Sequence, residues 1–206
     1  MKKKEQLNKF FYKEDKYRSI LSDVLVRYIC LKELKIRISE LEFEKNLYGK
    51  PYLKNNSDFH FNISHSGKWI VCAVGSTSLG VDIEEIKEID LGITKFFSEW
   101  ENNYIHDGND IEKWERFFDI WTLKESYIKA VGKGMSINLD SFTIMYDGII
   151  PRLISSVSEQ EKYYFKQYNI SIAYKLSVCS LSNKFPREIE YIDTSQIFMY
   201  LKNVEG

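Results

Sequence analysis

Residues 59–84 read FHFNISHSGKWIVCAVGSTSLGVDIE and contain three short segments, at 59–63, 69–74 and 79–83, which are bounded by serine and glycine. Runs of this length that are rich in β-branched and aromatic residues are typical of β-strands. Their close succession predicts consecutive antiparallel strands, arranged as a meander. It also predicts that Ser64, His65 and Ser66 lie in a loop between the first two strands, where binding residues are common.

Outside this stretch, helical and strand patterns interleave along the chain. An apolar stripe between Ile20 and Leu31 predicts a helix capped by Asp15, and Ser98 with Glu101 has the form of a capping box. A longer helix is predicted from about residue 110 to residue 131, ending at Gly132. Short strands are predicted around 41–47, at 142–146, at 163–168 and at 170–180, with a turn at 48–51. This mixture predicts the α+β class.

The composition of the 206 residues excludes several classes of protein. A hydrophobic content of 44% with a net charge of −1 excludes global disorder and argues against nucleic acid as a partner. The apolar runs are far too short to span a membrane. Cys30, Cys72 and Cys179 are scattered without metal-binding spacing, and the first residues are polar, so we expect no disulfide framework and a cytoplasmic protein.

Basic residues are concentrated at the start of the chain. Seven basic and three acidic residues lie between Lys2 and Arg18. Such a run is typical of a solvated helix face, and it also suits a site for a phosphorylated ligand.

Two carboxylates lie on one strand in Gly80-Val81-Asp82-Ile83-Glu84. Since side chains alternate along a strand, Asp82 and Glu84 point the same way while Val81 and Ile83 enter the core. Adjacent carboxylates repel each other unless a cation lies between them, and Mg²⁺ prefers oxygen ligands. The pattern therefore indicates either a magnesium site or a half-exposed strand with solvated carboxylates.

The stretch 121–134, WTLKESYIKAVGKG, places Glu125 and Lys129 four residues apart on the long helix. This spacing is typical of an ordinary surface ion pair. The neighbouring Trp121, Tyr127 and Ile128 indicate instead that the helix is mostly buried, and buried charges need partners. The chain contains no GxxxxGK[ST], GxGxxG, HExxH or GxSxG motif, which argues against P-loop, dinucleotide-dependent, zinc-protease and serine-hydrolase chemistry.

The order and spacing of these motifs resemble those of the 4′-phosphopantetheinyl transferases, of the surfactin-synthetase-activating (Sfp-like) type. The resemblance covers roughly residues 10–182. It rests on Gly-Lys-Pro at 49–51, Phe-Asn-Ile-Ser-His-Ser-Gly at 61–67, Gly-Val-Asp-Ile-Glu at 80–84, Phe-Phe-Ser at 96–98, and Trp-x-x-Lys-Glu-Ser-x-x-Lys-x-x-Gly-x-Gly at 121–134. The resemblance implies a pseudo-dimer of two similar α+β halves, here 1–103 and 104–206, with the active site in the cleft between them.

The activity implied by the resemblance is transfer of the 4′-phosphopantetheine arm of coenzyme A to a serine of an apo acyl or peptidyl carrier protein, with release of 3′,5′-ADP. It implies Mg²⁺, or Mn²⁺, as the metal, coenzyme A as co-substrate, and a protein that acts as a monomer without nucleic acid or membrane. Two other classes stay open: a catalytically inactive module that binds coenzyme A or carrier proteins, and a Mg²⁺-dependent phosphohydrolase.

The resemblance also implies a role for each candidate residue. Asp82, Glu84 and Glu125 would hold the metal, and Lys129 would stabilise or protonate the leaving phosphate and contact coenzyme A. Either Glu125 or Glu101 would take the proton of the carrier serine. The remaining coenzyme A contacts are Arg18, Lys50, Pro51, Ser64 and His65.

Overall fold

The computed structural model describes residues 13–110, 112–155 and 162–204. The part of the basic run before Lys13 therefore lies outside the described residues. The chain divides into two compact units, Met1–Glu42 with Glu190–Gly206, and Phe43–Ile189.

The helices are α1 (Lys13–Leu34), α2 (Glu99–His106), α3 (Glu112–Val131) and α4 (Thr194–Val204), and the strands are β1 (Phe43–Lys45), β2 (Pro51–Leu53), β3 (His60–Ser66), β4 (Trp69–Gly75), β5 (Leu79–Glu85), β6 (Phe142–Asp147), β7 (Ile150–Ser155), β8 (Tyr164–Tyr168) and β9 (Tyr174–Ser180). The predicted α+β class is confirmed. None of the helices in the described ranges is long and apolar enough to cross a membrane.

The first unit contains α1 and α4. The ring of Tyr28 packs edge-on against that of Tyr200, with 5.1 Å between ring centroids, and Lys32 donates to Glu190 at 2.8 Å. The prediction that Asp15 precedes this helix is wrong, because α1 spans Lys13–Leu34 and Asp15 lies within it. Helix α4 and strand β7 were not predicted, although Asp193 accepts a hydrogen bond from the Ser195 N–H in the manner of an N-cap.

The second unit is built from antiparallel ladders. Strand β1 pairs with β2, β3 with β4, and β6 with β7, while β5, β9 and β8 form a three-stranded sheet in that order. The predicted meander is thus wrong after its first hairpin: β5 leaves β4 and takes β9 as its ladder partner. Pairing with a strand distant in sequence cannot be deduced from local patterns.

The hairpin β3–β4 also differs from its prediction. Ser64, His65 and Ser66 lie inside β3, with Ser66 opposite Trp69, and only Gly67 and Lys68 form the turn. Gly67 has φ +53°, and a Cβ atom there would lie 2.1 Å from the hydroxyl oxygen of Tyr174. Because the turn needs only Gly67 and Lys68, the hydrogen-bonded ladder of β3 and β4 continues as far as Ser66. The Ser-His-Ser segment is therefore extended strand and not a loop.

Helix α3 packs against β5 and β9. Its close approach depends on Gly80, where a Cβ atom would lie 2.1 Å from the carbonyl oxygen of Ser126 and 2.4 Å from the backbone nitrogen of Ala130. Leu123 and Ile83 are fully buried in this unit. The predicted end of the helix is confirmed, since Gly132 follows it with φ +75°. This packing brings the second half of α3 onto the acidic face of β5.

Candidate active site

The two carboxylates of β5 lie on the strand as predicted. Asp82 is only 3% exposed and Glu84 is half-buried, while Val81 and Ile83 enter the core. The alternative of a half-exposed strand with solvated carboxylates is therefore wrong for Asp82, because a folded chain rarely buries a carboxylate without a partner.

Serine hydroxyls from β3 hold both carboxylates. Ser64 Oγ donates to Asp82 Oδ1 at 2.9 Å, and Ser66 Oγ donates to Glu84 Oε2 at 2.8 Å. This contact was missed in the sequence because Ser64 and Ser66 were assigned to a loop. Their two-residue spacing, identical to that of Asp82 and Glu84, was the signal that could have revealed it.

Helix α3 adds Glu125 and Lys129 to this cluster. The Lys129 ammonium lies 2.5 Å from Asp82 Oδ1 and 3.1 Å from Ser64 Oγ. The predicted ordinary surface pair is thus replaced by an ion pair across the interface between helix and strand. Glu125 lies one turn before Lys129 and is half-buried.

The carboxylates of this cluster influence one another electrostatically. Burial raises the pKa of Asp82, against the opposing effects of Lys129 and Ser64. Burial raises the pKa of Glu84, and the nearby charge of Asp82 raises it further. Burial likewise raises the pKa of Glu125, with additional contributions from Asp82 and Glu84. A buried carboxylate whose charge adds to the effect of burial on the pKa values of two neighbouring carboxylates indicates a site that a cation would stabilise.

One buried oxygen of this cluster fits a cation. Asp82 Oδ2 is inaccessible to solvent and has no hydrogen-bond partner among the described residues, an uncommon situation for a buried polar atom. Within 13–110, 112–155 and 162–204, no three His, Cys, Asp or Glu side chains are gathered closely enough to hold a metal ion. The fit to a hard dication therefore rests on the orphaned Asp82 oxygen and on the all-oxygen chemistry of the donors.

Glu101 occupies a different environment from the other candidates. It is fully buried at the start of α2, where the predicted capping box with Ser98 is present. Lys124 Nζ donates to its two oxygens at 2.7 and 2.9 Å, and the Ile144 N–H donates to Oε1 at 2.8 Å. These contacts give the prediction of a catalytic base at Glu101 no support and favour a structural role. Lys124, a residue of the quoted motif to which no role was assigned, is its buried partner.

Lys50 and Pro51 lie where β2 begins. The Lys50 ammonium donates to the carbonyl oxygens of Leu79 and Ala130 at 2.9 and 3.0 Å. Burial lowers its pKa to about 8. Pro51 is the first residue of β2 and lies opposite Lys45. These contacts join the turn before β2 to β5 and to the end of α3.

The other predicted coenzyme A contacts are distributed over two elements. His65 is exposed on β3, next to the buried Ser64. Arg18 belongs to α1 in the first unit. The structure thus places Ser64, Asp82, Glu84, Glu125 and Lys129 around one cluster, while a role for Arg18 in binding stays a prediction.

Acidic oxygens, an ammonium and serine hydroxyls at one face of an α+β unit define a site suited to phosphate chemistry. Residues 1–77 match a family model described as 4′-phosphopantetheinyl transferase, N-terminal, and residues 78–179 match one described as 4′-phosphopantetheinyl transferase superfamily. The chain thus has two halves by these matches. The boundary predicted near residue 103 stays a prediction.

Individual relatives agree with the family models. Over 198 residues, 95% of this chain and 88% of the relative, the chain is 37% identical to 4′-phosphopantetheinyl transferase Sfp of Bacillus subtilis (strain 168). Over 169 residues, 82% of this chain and 70% of the relative, it is 40% identical to 4′-phosphopantetheinyl transferase gsp of Aneurinibacillus migulanus. The chain therefore belongs to the 4′-phosphopantetheinyl transferase family and is of the Sfp-like type.

Proposed function

We propose that this transferase moves the 4′-phosphopantetheine arm of coenzyme A to a serine of an apo acyl or peptidyl carrier protein and releases 3′,5′-ADP. The observation that carries the proposal is the cluster at Asp82: a buried carboxylate with one orphaned oxygen, close enough to Glu84 and Glu125 to raise their pKa values, beside the ammonium of Lys129.

Asp82, Glu84 and Glu125 are the residues that would hold Mg²⁺, or Mn²⁺ in its place. Bound there, the dication would supply positive charge to the pyrophosphate oxygens of coenzyme A. The support for this assignment is the oxygen-only donor set and the orphaned Asp82 Oδ2.

The remaining chemistry is assigned to side chains. The carrier serine oxygen forms a bond to the β-phosphorus, the bond from that phosphorus to the bridging oxygen breaks, and 3′,5′-ADP leaves with the bridging oxygen. Glu125 takes the serine proton, since it is a half-buried carboxylate one helical turn from Lys129 and lies beside the acidic face of β5. Lys129 stabilises or protonates the leaving phosphate, because its ammonium already lies at the carboxylate cluster.

Two of the proposed coenzyme A contacts are supported by the position of their side chains, and three by the family resemblance. His65 is exposed next to Ser64, so its ring is accessible to a nucleotide phosphate. Lys129 reaches both Ser64 and Asp82 and is thus suited to contact the pyrophosphate. Arg18, Lys50 and Pro51 are carried by the family resemblance alone, and Lys50 would exchange its two carbonyl partners for a phosphate.

We further propose that the protein acts as a monomer in the cytoplasm, with the active site in the cleft between its two halves and without nucleic acid or membrane as a partner. One chain supplies Asp82, Glu84, Glu125 and Lys129, so no second copy is needed to complete the cluster. Cys30, Cys72 and Cys179 form no disulfide within the described residues, which suits a reducing compartment.

The test is incubation of the protein with coenzyme A, MgCl₂ and an apo carrier protein, followed by intact mass measurement of the carrier. We expect the carrier to gain one phosphopantetheine, and we expect Asp82→Asn to slow the gain at least about 100-fold. Asp58→Asn, at an exposed carboxylate, is the matched control and should behave as the parent.

Two results would overturn the proposal. Binding of coenzyme A and carrier without a mass change would identify an inactive binding module. Cleavage of coenzyme A without modification of the carrier would identify a phosphohydrolase.

A further inference from the structure

Strands β3 and β5 are joined by side chains instead of a backbone ladder. Three N–H groups of β5 point towards β3, those of Val81, Ile83 and Glu85. They donate to Asn62 Oδ1 at 2.9 Å, to Ser64 Oγ at 3.4 Å and to Ser66 Oγ at 3.0 Å. Among the described strands, β3 has its ladder with β4 and β5 has its ladder with β9.

These hydrogen bonds recur at every second residue of both strands. Asn62, Ser64 and Ser66 occupy alternate positions of β3 and therefore share one face, and their acceptors serve alternate residues of β5. Each side-chain oxygen takes the place that a backbone carbonyl would occupy in a ladder. The backbone N–H groups of β5 are thus satisfied, as buried donors must be, while the two strands are spaced by a side chain.

The two serines perform a second task that Asn62 does not. A hydroxyl can donate one hydrogen bond while it accepts others. Ser64 Oγ accepts from Ile83 and Lys129 and donates to Asp82, so its capacity is fully used. Ser66 Oγ accepts from the Glu85 N–H, and its own proton is directed to Glu84 Oε2.

We infer that Ser66 is a positioning residue for Glu84, an inference that rests on the proposed function. The Glu85 N–H fixes the Ser66 oxygen, and the Ser66 proton then fixes Glu84 Oε2, so that the second oxygen of Glu84 would be available to a bound cation. Ser66 does not touch substrate or metal itself. Its contact holds this half-buried carboxylate against β3, on the strand face that Glu84 shares with Asp82.

The alternative is that Ser66 only stabilises the strand, and the geometry distinguishes the two roles. A purely structural serine needs only the bond from Glu85. The second bond, 2.8 Å to a carboxylate of the proposed metal site, adds nothing to strand pairing. Hydrogen bonds from outside the ligand shell typically change metal affinity about 10- to 100-fold.

The experiment compares the full-length parent with Ser66→Ala, Ser66→Thr and Ser180→Ala. Threonine keeps the hydroxyl and suits a strand. Ser180 is a buried β9 serine whose hydroxyl accepts from the Ser182 N–H and contacts Thr77 and Ser78, so its removal controls for loss of a strand hydroxyl. The melting temperature is followed as MgCl₂ is titrated at saturating coenzyme A, and the rate of carrier modification is measured at the same MgCl₂ concentrations.

We expect Ser66→Ala to raise the MgCl₂ concentration for half-maximal stabilisation about 10-fold, with most of the modification rate restored at saturating MgCl₂. Ser66→Thr should titrate as the parent does. Ser180→Ala should lower the melting temperature in EDTA without changing the MgCl₂ concentration at the midpoint.

An unchanged MgCl₂ midpoint in Ser66→Ala would overturn the inference while leaving the proposed function intact. Equal defects in Ser66→Ala and Ser66→Thr would also overturn it, because the hydroxyl would then not be the cause. If the parent shows no response to MgCl₂ at all, the metal assignment of the proposed function has failed, and the inference falls with it.

Discussion

Helix α3 carries two lysines five residues apart, and each forms an ion pair with a carboxylate from another element. Lys124 pairs with Glu101, and both side chains are completely buried. Lys129 pairs with Asp82, where the lysine side chain is 28% exposed and the aspartate side chain 4%. These two ion pairs of one helix thus differ in their access to solvent.

The pairs differ most in how completely their atoms are hydrogen-bonded. Glu101 accepts from Lys124, from the Ser98 N–H and hydroxyl, and from the Ile144 N–H. The Lys124 ammonium also donates to the Phe142 carbonyl and lies 4.1 Å from the centre of the Phe142 ring. Asp82 keeps one buried oxygen without a partner among the described residues. A pair whose polar atoms all have hydrogen-bond partners indicates a structural clamp, that is, an ion pair that only holds elements together. A buried oxygen without a partner indicates instead a site that binds a ligand.

The largest expected effect comes from breaking the saturated pair. Lys124→Ala would leave Glu101 as a buried carboxylate without its counter-charge, and we expect a loss of about 3–5 kcal/mol in the free energy of unfolding. Urea denaturation followed by circular dichroism measures this loss.

The double variant Lys124→Met with Glu101→Gln is the control for this prediction. It removes both charges and keeps one amide oxygen to accept from the backbone, so it should recover much of the lost stability. A loss below about 1 kcal/mol in Lys124→Ala would contradict the assignment of a structural clamp.

A smaller effect is expected at Lys50, which is held by two carbonyl oxygens. Burial lowers its pKa from 10.5 to about 8, so the charged form is less favourable in the native protein than in the unfolded chain. This cost is fully present below pH 8 and disappears as the pH rises towards 10.5, because the unfolded state then binds more protons than the native state.

Between pH 7.5 and pH 10.5, the free energy of unfolding of the parent should therefore rise by about 2 kcal/mol relative to that of Lys50→Met. This value is smaller than the full pKa difference would give, because Lys50 is partly exposed. Urea unfolding of both proteins at several pH values measures the difference. A difference that stays constant with pH would mean that water reaches the ammonium in the native protein.

The smallest effect on stability is expected at Asp82, although its effect on activity is large. Asp82→Asn keeps an oxygen for Ser64 and allows the partly exposed Lys129 to turn towards solvent. It also removes a charge that adds to the effect of burial in raising the pKa values of Glu84 and Glu125. We expect its free energy of unfolding in EDTA to stay within about 1 kcal/mol of the parent.

Differential scanning calorimetry in EDTA, with Asp58→Asn alongside, tests this expectation. If Asp82→Asn lost as much stability as Lys124→Ala, the two ion pairs of α3 would be structurally equivalent and the contrast between them would be wrong.

Local patterns predicted the elements that carry the site. Val81 and Ile83 alternate with Asp82 and Glu84, and this alternation places the carboxylates together on a strand. The capping box at Ser98 and the glycine after Val131 defined the start of α2 and the end of α3. The order of the motifs from Gly49 to Gly134 also indicated the family, because each motif is a short continuous segment.

The contacts between distant elements could not be predicted in this way. The capping box at Ser98 already accounted for Glu101 in the sequence, but only its burial against Lys124 and Ile144 favours the structural role over that of a catalytic base. The local sign of the link between Ser66 and Glu84 was only the two-residue spacing that both strands share, since the link itself depends on β3 lying beside β5 without a ladder. The sequence by itself determined the residue types, their spacing and the family. The tertiary structure decided which charges are saturated and which remain available, because burial and hydrogen-bond partners depend on segments that are far apart in the chain.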